Sequence, residues 1–285
     1  MSSRNAKRVK DIHGMEQIMI DLKPHRCDSF VYSQIDLDVT ELAKYIDKKK
    51  KTGEHITFFH AFVMALGKVI YNREKLNRFV QNRHVYEHND IVVSFVAKVA
   101  FEDKAEEMMI MVPIHEDDNI HTIGKFISDK VSGIRGGEVK KEGANDAIDT
   151  LGKLPNIIRV PLIGILKWCD DKGILPKSLV QDNLYYSSTI VSNLGSIKSN
   201  SIHHNLTNFG TCSSLATMGE IKDKEIVLDN GKKESRKICD WGIAFDERVA
   251  DGFYLIQSMK MLQYIFYHPE MLEDNASEKI ILEKE

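Results

Sequence analysis

Between Ser187 and Phe245 the sequence passes through four stretches of strand character: SSTIVSNLG (187–195), TCSSLATMG (211–219), KEIVLD (224–229) and KICDWGIAF (237–245). Strand runs that follow one another in this way build a sheet from short, antiparallel-style strands, and the helices have to come from the rest of the chain. The preceding half supplies both kinds of element. VYSQIDL (31–37) alternates Val31, Ser33, Ile35 and Leu37 against Tyr32, Gln34 and Asp36, the period of a strand, and further strand patterns fall at 84–87, 91–100 and 107–113. Thr40 is placed to cap a short helix through Tyr45. Thr57 is placed to cap a longer one with Phe59, Phe62, Val63, Leu66 and Ile70 on one stripe. A third helix is expected from Thr122, with Ile123, Phe126, Ile127 and Ile134 on a face and GIRGG at its end. A last helix carries Leu255, Met259, Leu262 and Phe266 on one side. Helices laid on one face of such a sheet make an α+β domain.

The stretch from 151 to 186 does not fit this scheme. LPNIIRVPLIGILKWCDDKGILPKSLV is apolar and holds three of the six prolines, so it predicts one or two short helices broken by turns. We read it as a helical insertion packed on the body of the domain. Contact of 157–168 with a membrane surface or a hydrophobic ligand is the alternative that its apolarity leaves open.

Several function classes are excluded by composition. A net charge of −3 gives no broad basic field for nucleic acid, and the run Lys48 to Lys51 reads as the solvated end of a helix, where it complements the dipole. The 285 residues, 42% of them hydrophobic, suit one large domain or two small ones, and no compositional break marks a second. Cys27, Cys169, Cys212 and Cys239 form no CxxC pair and the N-terminus lacks the apolar core of a signal peptide, which points to a reducing cytoplasm. No apolar run is long enough to span a membrane. No cluster has metal-ligand spacing, and there is no glycine-rich nucleotide loop.

Two motifs point to a chemistry. TIVSNLGSI is followed some fifty residues later by FDERVADGF, with Asp246, Glu247, Arg248 and Asp251 crowded before an apolar helix. In this order they resemble the catalytic domain shared by dihydrolipoyl acyltransferases of 2-oxo-acid dehydrogenase complexes and chloramphenicol acetyltransferase. IDLDVTELAKYI, HITFFHAFVMALGKVI and MMIMVPIHEDDNIHTIGKFISDKV follow the family's order, so the resemblance covers about Val31 to Met271, with 151–186 as the main extra. It implies a chloramphenicol acetyltransferase-like α+β domain, a mixed sheet covered by helices, over 1–285, with no lipoyl or subunit-binding domain. It is similar in particular to a stand-alone bacterial branch with the same Glu-for-His change.

The resemblance also implies roles for particular residues. The second motif in the family reads His-x-x-x-Asp-Gly, the histidine being the general base toward a thiol; here Glu247 holds that position, and Asp251 and Gly252 match the Asp-Gly. The family's Asp is a structural partner of an N-terminal arginine, for which Arg8 and Arg26 are the nearby candidates. Ser192 matches the serine that hydrogen-bonds the oxyanion of the tetrahedral intermediate. The family's site is formed between adjacent subunits of a trimer, which implies a homotrimer here. Coenzyme A or acyl-coenzyme A would be a co-substrate, with no tightly bound cofactor, and the partners would be a small-molecule acyl donor and acceptor.

The glutamate changes the chemistry. An unperturbed carboxylate is a weaker base than an imidazole by about two units, so the acceptor suited to it is a hydroxyl or amine with an activated acyl donor. Crowding by Asp246 and Asp251 would favour proton uptake, and Arg248 would oppose it. Each residue also has a plainer reading. Glu247 would then be a salt-bridge former with Arg248 or an interface arginine, Ser192 a strand serine bonded to backbone, and Asp251 structural. His203 and His204, in SIHHNL after the Ser192 strand, are the auxiliary histidines that would replace the missing imidazole, or else a surface loop. His84, His88 and His115 have no motif around them. The sequence therefore supports transfer of an acyl group from a coenzyme A or carrier thioester with Glu247 as an altered base. The alternative is a catalytically inactive homologue with a binding, regulatory or assembly role.

Overall fold

The computed structural model describes residues 4–98, 107–136, 150–227 and 231–282. The expected strand ends at 99–100 and 228–229, and Gly137 of GIRGG, lie outside them.

Six strands form the main sheet: β2 (Phe30–Asp38), β5 (Ile91–Lys98), β6 (Glu107–Ile114), β7 (Thr189–Asn193), β8 (Ser214–Val227) and β9 (Lys233–Asp246), in the order β2-β9-β8-β7-β5-β6. β7 runs parallel to both β5 and β8, and every other pair is antiparallel, so the sheet is mixed, as the resemblance implies. The stretches at 214–219 and 224–227 belong to one strand, β8, which continues through a register shift between Met218 and Ile221. β1 (Ala6–Arg8), β3 (Arg78–Gln81) and β4 (His84–His88) form a separate small sheet in the order β1-β4-β3.

The alternation along β2 is realised in packing. Ile35 and Leu37 face the core, and Tyr32, Gln34 and Asp36 face away. The same face of the sheet carries Val93, Phe95, Val191, Ala216, Trp241, Ile243 and Phe245, and helices cover it. α3 (Phe58–Asn72) packs directly on that face and is buried all round from His60 to Ile70, a wider apolar surface than the one stripe expected. Phe62 lies between Trp241 and Phe266, with ring centroids 5.0 and 4.6 Å away, and Phe59 meets Phe95 edge-on at 4.8 Å. Thr57 caps α3 by accepting from the His60 N–H at 3.2 Å.

Two other caps differ from the sequence reading. α2 (Thr40–Lys51) runs well past Tyr45, and it is the Asp38 carboxylate that takes the Thr40 N–H; the Thr40 hydroxyl accepts from Lys237 of β9 instead. α4 (Ile120–Arg135) is capped by Asn119, with Thr122 as the third residue of a reciprocal capping box. α2, α4 and the last helix, α7 (Gly252–Tyr267), pack around α3, and α7 buries the expected Leu255, Met259, Leu262 and Phe266.

The 151–186 stretch contains no strand among the described residues, as expected, but its helix is longer than expected. α5 (Asn156–Lys172) continues through Pro161 and ends at Gly173 in the left-handed conformation; the single turn α6 (Lys177–Val180) follows. Proline removes only the bond to the Ile157 carbonyl, at a residue 84% exposed, where solvent supplies the donor. The other half of the expectation, packing on the body of the domain, holds only toward the end of α5. Asp170 is its one buried residue.

Candidate active site

FDERVADGF spans the end of β9, a turn and the start of α7. Asp246, the last residue of β9, is fully buried, and its two carboxylate oxygens accept from Arg248 Nε at 2.8 Å and Nη2 at 2.7 Å. Arg248 also donates to the Lys23 and Pro24 carbonyls at 3.0 and 3.2 Å. A second buried guanidinium, Arg26, brings its Nε to 3.9 Å from Asp246 and donates through its other nitrogens to the carbonyls of Thr207, Phe209 and Gly210. Burial lowers the Arg26 pKa, and the Asp246 charge opposes that shift. The turn is thus clamped from both sides, Arg26 and Arg248 tying it to the segment before β2 and to the loop before β8.

Glu247 sits on this clamp. Its N–H donates to Ser29 at 3.0 Å, and its half-buried carboxylate is ion-paired with Lys23. Lys23 follows α1 (Gly14–Leu22) directly. The partner of Glu247 is therefore this lysine and not Arg248, which is committed to Asp246. Asp251 is the N-cap of α7, accepting from the Tyr254 N–H at 2.7 Å, with Gly252 as the first helical residue. Neither candidate arginine meets Asp251. Arg26 faces Asp246, and Arg8 lies in the small sheet with its guanidinium 3.2 Å from His84 Nδ1.

Ser192 lies elsewhere on the sheet. It is in register with Thr217 and, through Thr217, with Gly242, on the face away from α3. Glu247 is two strands across and five residues further along the line of β9. At about 4.8 Å per strand and about 3.3 Å per residue, the two are roughly 19 Å apart. Ser192 is half-buried, and among the described residues its hydroxyl has no hydrogen-bond partner.

His203 and His204 are exposed. The His203 ring packs 5.4 Å from that of Tyr32, and His204 Nδ1 is 3.0 Å from the Asn205 carbonyl. Tyr32 pairs with Ala244, three residues short of Glu247. Among the described residues neither histidine is bonded to Glu247, whose charge partner is Lys23.

Sequence reasoning did not find the other polar centre, which is built on α5. Asp170 accepts from Gln81 Nε2 at 3.0 Å, the Tyr186 hydroxyl at 2.7 Å and the Gly210 N–H at 2.8 Å. Burial and the adjacent Asp170 charge push the Tyr186 phenol pKa upward. Gly210 has φ +82°, and a Cβ there would stand 2.3 Å from the Tyr185 carbonyl, so only glycine can bring its N–H to Asp170. A cavity of about 280 Å³, lined by Arg26, Gln81, Arg83, Lys167, Asp171 and Arg248, separates α5 from the FDERVADGF turn. A larger depression of about 540 Å³, lined by Tyr45, Lys49, Glu54 and Glu273, touches neither Ser192 nor Glu247. Among the described residues no cluster of His, Cys, Asp and Glu could hold a metal ion, and no helix is long and apolar enough to cross a membrane.

No protein-family model and no curated protein matches the chain in sequence. Solved structures match it in shape. A probable dihydrolipoamide acetyltransferase from Listeria monocytogenes superposes with a TM-score of 0.61 at 15% identity, over 92% of this chain and 95% of that one. The dihydrolipoamide acetyltransferase of Azotobacter vinelandii, in which a serine, a histidine and an asparagine have been studied for their role in the catalytic mechanism, gives 0.60 at 10% identity, over 93% of both chains. Chloramphenicol acetyltransferase gives 0.54 at 11% identity, over 92% of this chain and 99% of that one. With its mixed sheet, its helix-covered face and coverage of more than nine-tenths on both sides, this chain has the fold of the dihydrolipoamide and chloramphenicol acetyltransferase catalytic domains.

Proposed function

We propose that this chain transfers an acyl group from a coenzyme A or carrier thioester to a small acceptor, at a site shared by two copies. Glu247 of one copy is the general base and Ser192 of the next is the oxyanion donor. One observation supports the reading: among the described residues the Ser192 hydroxyl has no hydrogen-bond partner, and it stands roughly 19 Å from Glu247, as two half-sites of one protomer would. The serine, histidine and asparagine of the Azotobacter enzyme follow the same spacing pattern, with about fifty residues between the first two and four between the last two. A head-to-tail contact that closes after three copies gives three complete sites, which is the homotrimer that the motifs imply.

In this arrangement Glu247 accepts the proton from the acceptor hydroxyl or amine as the acceptor attacks the thioester carbonyl. The negative charge then falls on the carbonyl oxygen, where the Ser192 hydroxyl donates to it. Collapse re-forms the carbonyl and breaks the carbon–sulfur bond, and the departing thiolate takes up the proton that Glu247 received, which restores the carboxylate. Arg26, Arg248 and Asp246 touch no reacting atom; they hold the turn that carries the base. Coenzyme A enters as a co-substrate, with no resident cofactor, and we place the reaction in the cytoplasm.

The Lys23 ion pair favours a second reading, an inactive homologue in which Glu247 serves only its charge partner. Glu247→Gln separates the two. On the first reading, turnover with a panel of acyl-coenzyme A thioesters falls by about 10²–10⁴-fold with ligand affinity unchanged. On the second, the wild type turns over none of them and the substitution alters only stability or assembly.

A further inference from the structure

α5 presents its apolar side to solvent. At 3.6 residues per turn, Ile157, Pro161, Ile165 and Trp168 lie along one line, with Ile158 and Val160 flanking it. All six are exposed, Ile157 to 84% and Trp168 to 57%. They form a patch on the order of 600 Å², at the upper limit of what a monomer leaves uncovered. Of the charged residues of the helix, Arg159 bonds back to Gly152 and Asn156, Lys167 and Asp171 line the cavity beside Arg248, and Asp170 is buried; Lys172, one turn beyond Trp168, closes the line at its end. α1 repeats the pattern with Met15, Ile18 and Leu22, each more than half exposed on one stripe.

α1 leads straight into Lys23, the ion partner of Glu247, and α5 borders the cavity that Arg248 and Pro24 line beside the FDERVADGF turn; Arg83 bonds Asp21 of α1 and lines the same cavity as Lys167 of α5. We propose that the outward face of α5, extended by the α1 stripe, packs against a second copy of this chain, the copy whose Ser192 completes the site. This rests on the two-chain reading above. The area supports it, since a stable interface takes about 800 Å² from each partner and the α5 patch supplies most of that before α1 is counted. The charge pattern supports it as well. Interface cores are depleted of charge, and the stretch of this face from Ile157 to Trp168 carries no charged residue. The insertion thus takes on a task, that of a clasp holding the neighbouring copy over the base.

The test compares the full chain with the double variant Ile157→Glu/Ile165→Glu, both changes being at solvent-facing helical positions. Sedimentation velocity gives the assembly, far-UV circular dichroism the folding, and iodide quenching the state of Trp168, because Trp241 is fully buried and does not report. The expected result is a wild type assembled from 32.6 kDa copies with Trp168 shielded, and a variant that stays helical, requires at least tenfold higher concentration to assemble and exposes Trp168. A variant that assembles as the wild type does, or a wild-type assembly with Trp168 open to iodide, overturns the clasp while leaving the two-chain site standing. A wild type that is monomeric at tens of micromolar overturns both. A monomer that binds phosphatidylglycerol vesicles through this face, and loses them in the variant, assigns the face to lipid and also overturns the clasp.

Discussion

Asp246→Asn is expected to be the most costly conservative change in the FDERVADGF turn. The carboxylate is fully buried and receives two short bonds from the Arg248 guanidinium, with Arg26 Nε 3.9 Å away, attracting it by charge without a hydrogen bond. Asparagine keeps the volume but removes the charge and turns one acceptor into a donor that faces a guanidinium. Breaking a buried pair from one side costs about 3–5 kcal/mol, because the remaining charge stays desolvated without compensation. Against a total stability of about 5–15 kcal/mol that is a large fraction, and it lowers Tm by roughly 10 °C at this chain length. Asp251→Asn is the internal control. Asp251 is exposed and only caps α7, and asparagine caps as well as aspartate, so its cost is a few tenths of a kcal/mol. Urea unfolding of both variants at one protomer concentration gives the comparison. A larger loss for Asp251→Asn, or a loss below about 1 kcal/mol for Asp246→Asn, refutes the reasoning, since the buried acid would not then be what holds the turn.

Two further outcomes follow from buried groups outside the turn. Burial, with a smaller contribution from His55, lowers the His60 pKa to about 4. The unfolded chain, with an ordinary histidine near 6.5, then binds the extra proton, so this contribution is complete above about pH 6.5 and is lost as pH falls toward 4, by about 2 kcal/mol at pH 5; His60→Leu should flatten that slope in urea titrations at pH 7.5 and 5. Asp170→Ala leaves Gln81, Tyr186 and the Gly210 N–H without their acceptor, so it should cost about 2–4 kcal/mol and speed proteolysis within α5, and an unchanged cleavage rate would count against Asp170 as the anchor.

What the sequence revealed was local. β2 was legible because its two faces differ in polarity residue by residue, and α3 because a capping threonine precedes a long apolar run. The caps at Thr40 and Thr122 misled for one reason: both threonines are plausible caps taken alone, but Asp38 and Asn119, a few residues earlier, take the first free N–H groups, those of Thr40 and of His121 and Thr122, so each threonine already lies inside its helix. Ser192 and Glu247 were legible as motifs, but the partner of Glu247 was not, since Lys23 is 224 positions away and nothing around it marks it. The pairing of Asp246 with Arg248, rather than of Asp251 with an arginine, depended on which acid the end of β9 buries. That is decided by the register of β9 on β2, where Asp246 lies opposite Phe30, and a single sequence does not carry that register.

Register also yields the sharpest test of the proposed site. If Ser192 and Glu247 act across two copies, Ser192→Ala and Glu247→Gln damage different halves of the same site, and each variant alone loses activity. Mixing them as unfolded chains and refolding together lets a Ser192→Ala copy supply an intact Glu247 to a neighbour that supplies an intact Ser192. In a ring of heterologous contacts assembled at random from equal amounts, about one site in four is wild type at both positions, so activity should recover to about a quarter of the wild-type value. Refolding either variant alone should recover none. No recovery in the mixture, with assembly confirmed by light scattering, would mean that the two residues serve the same protomer or no reaction at all. Ser192 on β7 and Glu247 just beyond the end of β9 stand roughly 19 Å apart, which argues against the first of these, so such a result would leave FDERVADGF as a structural turn.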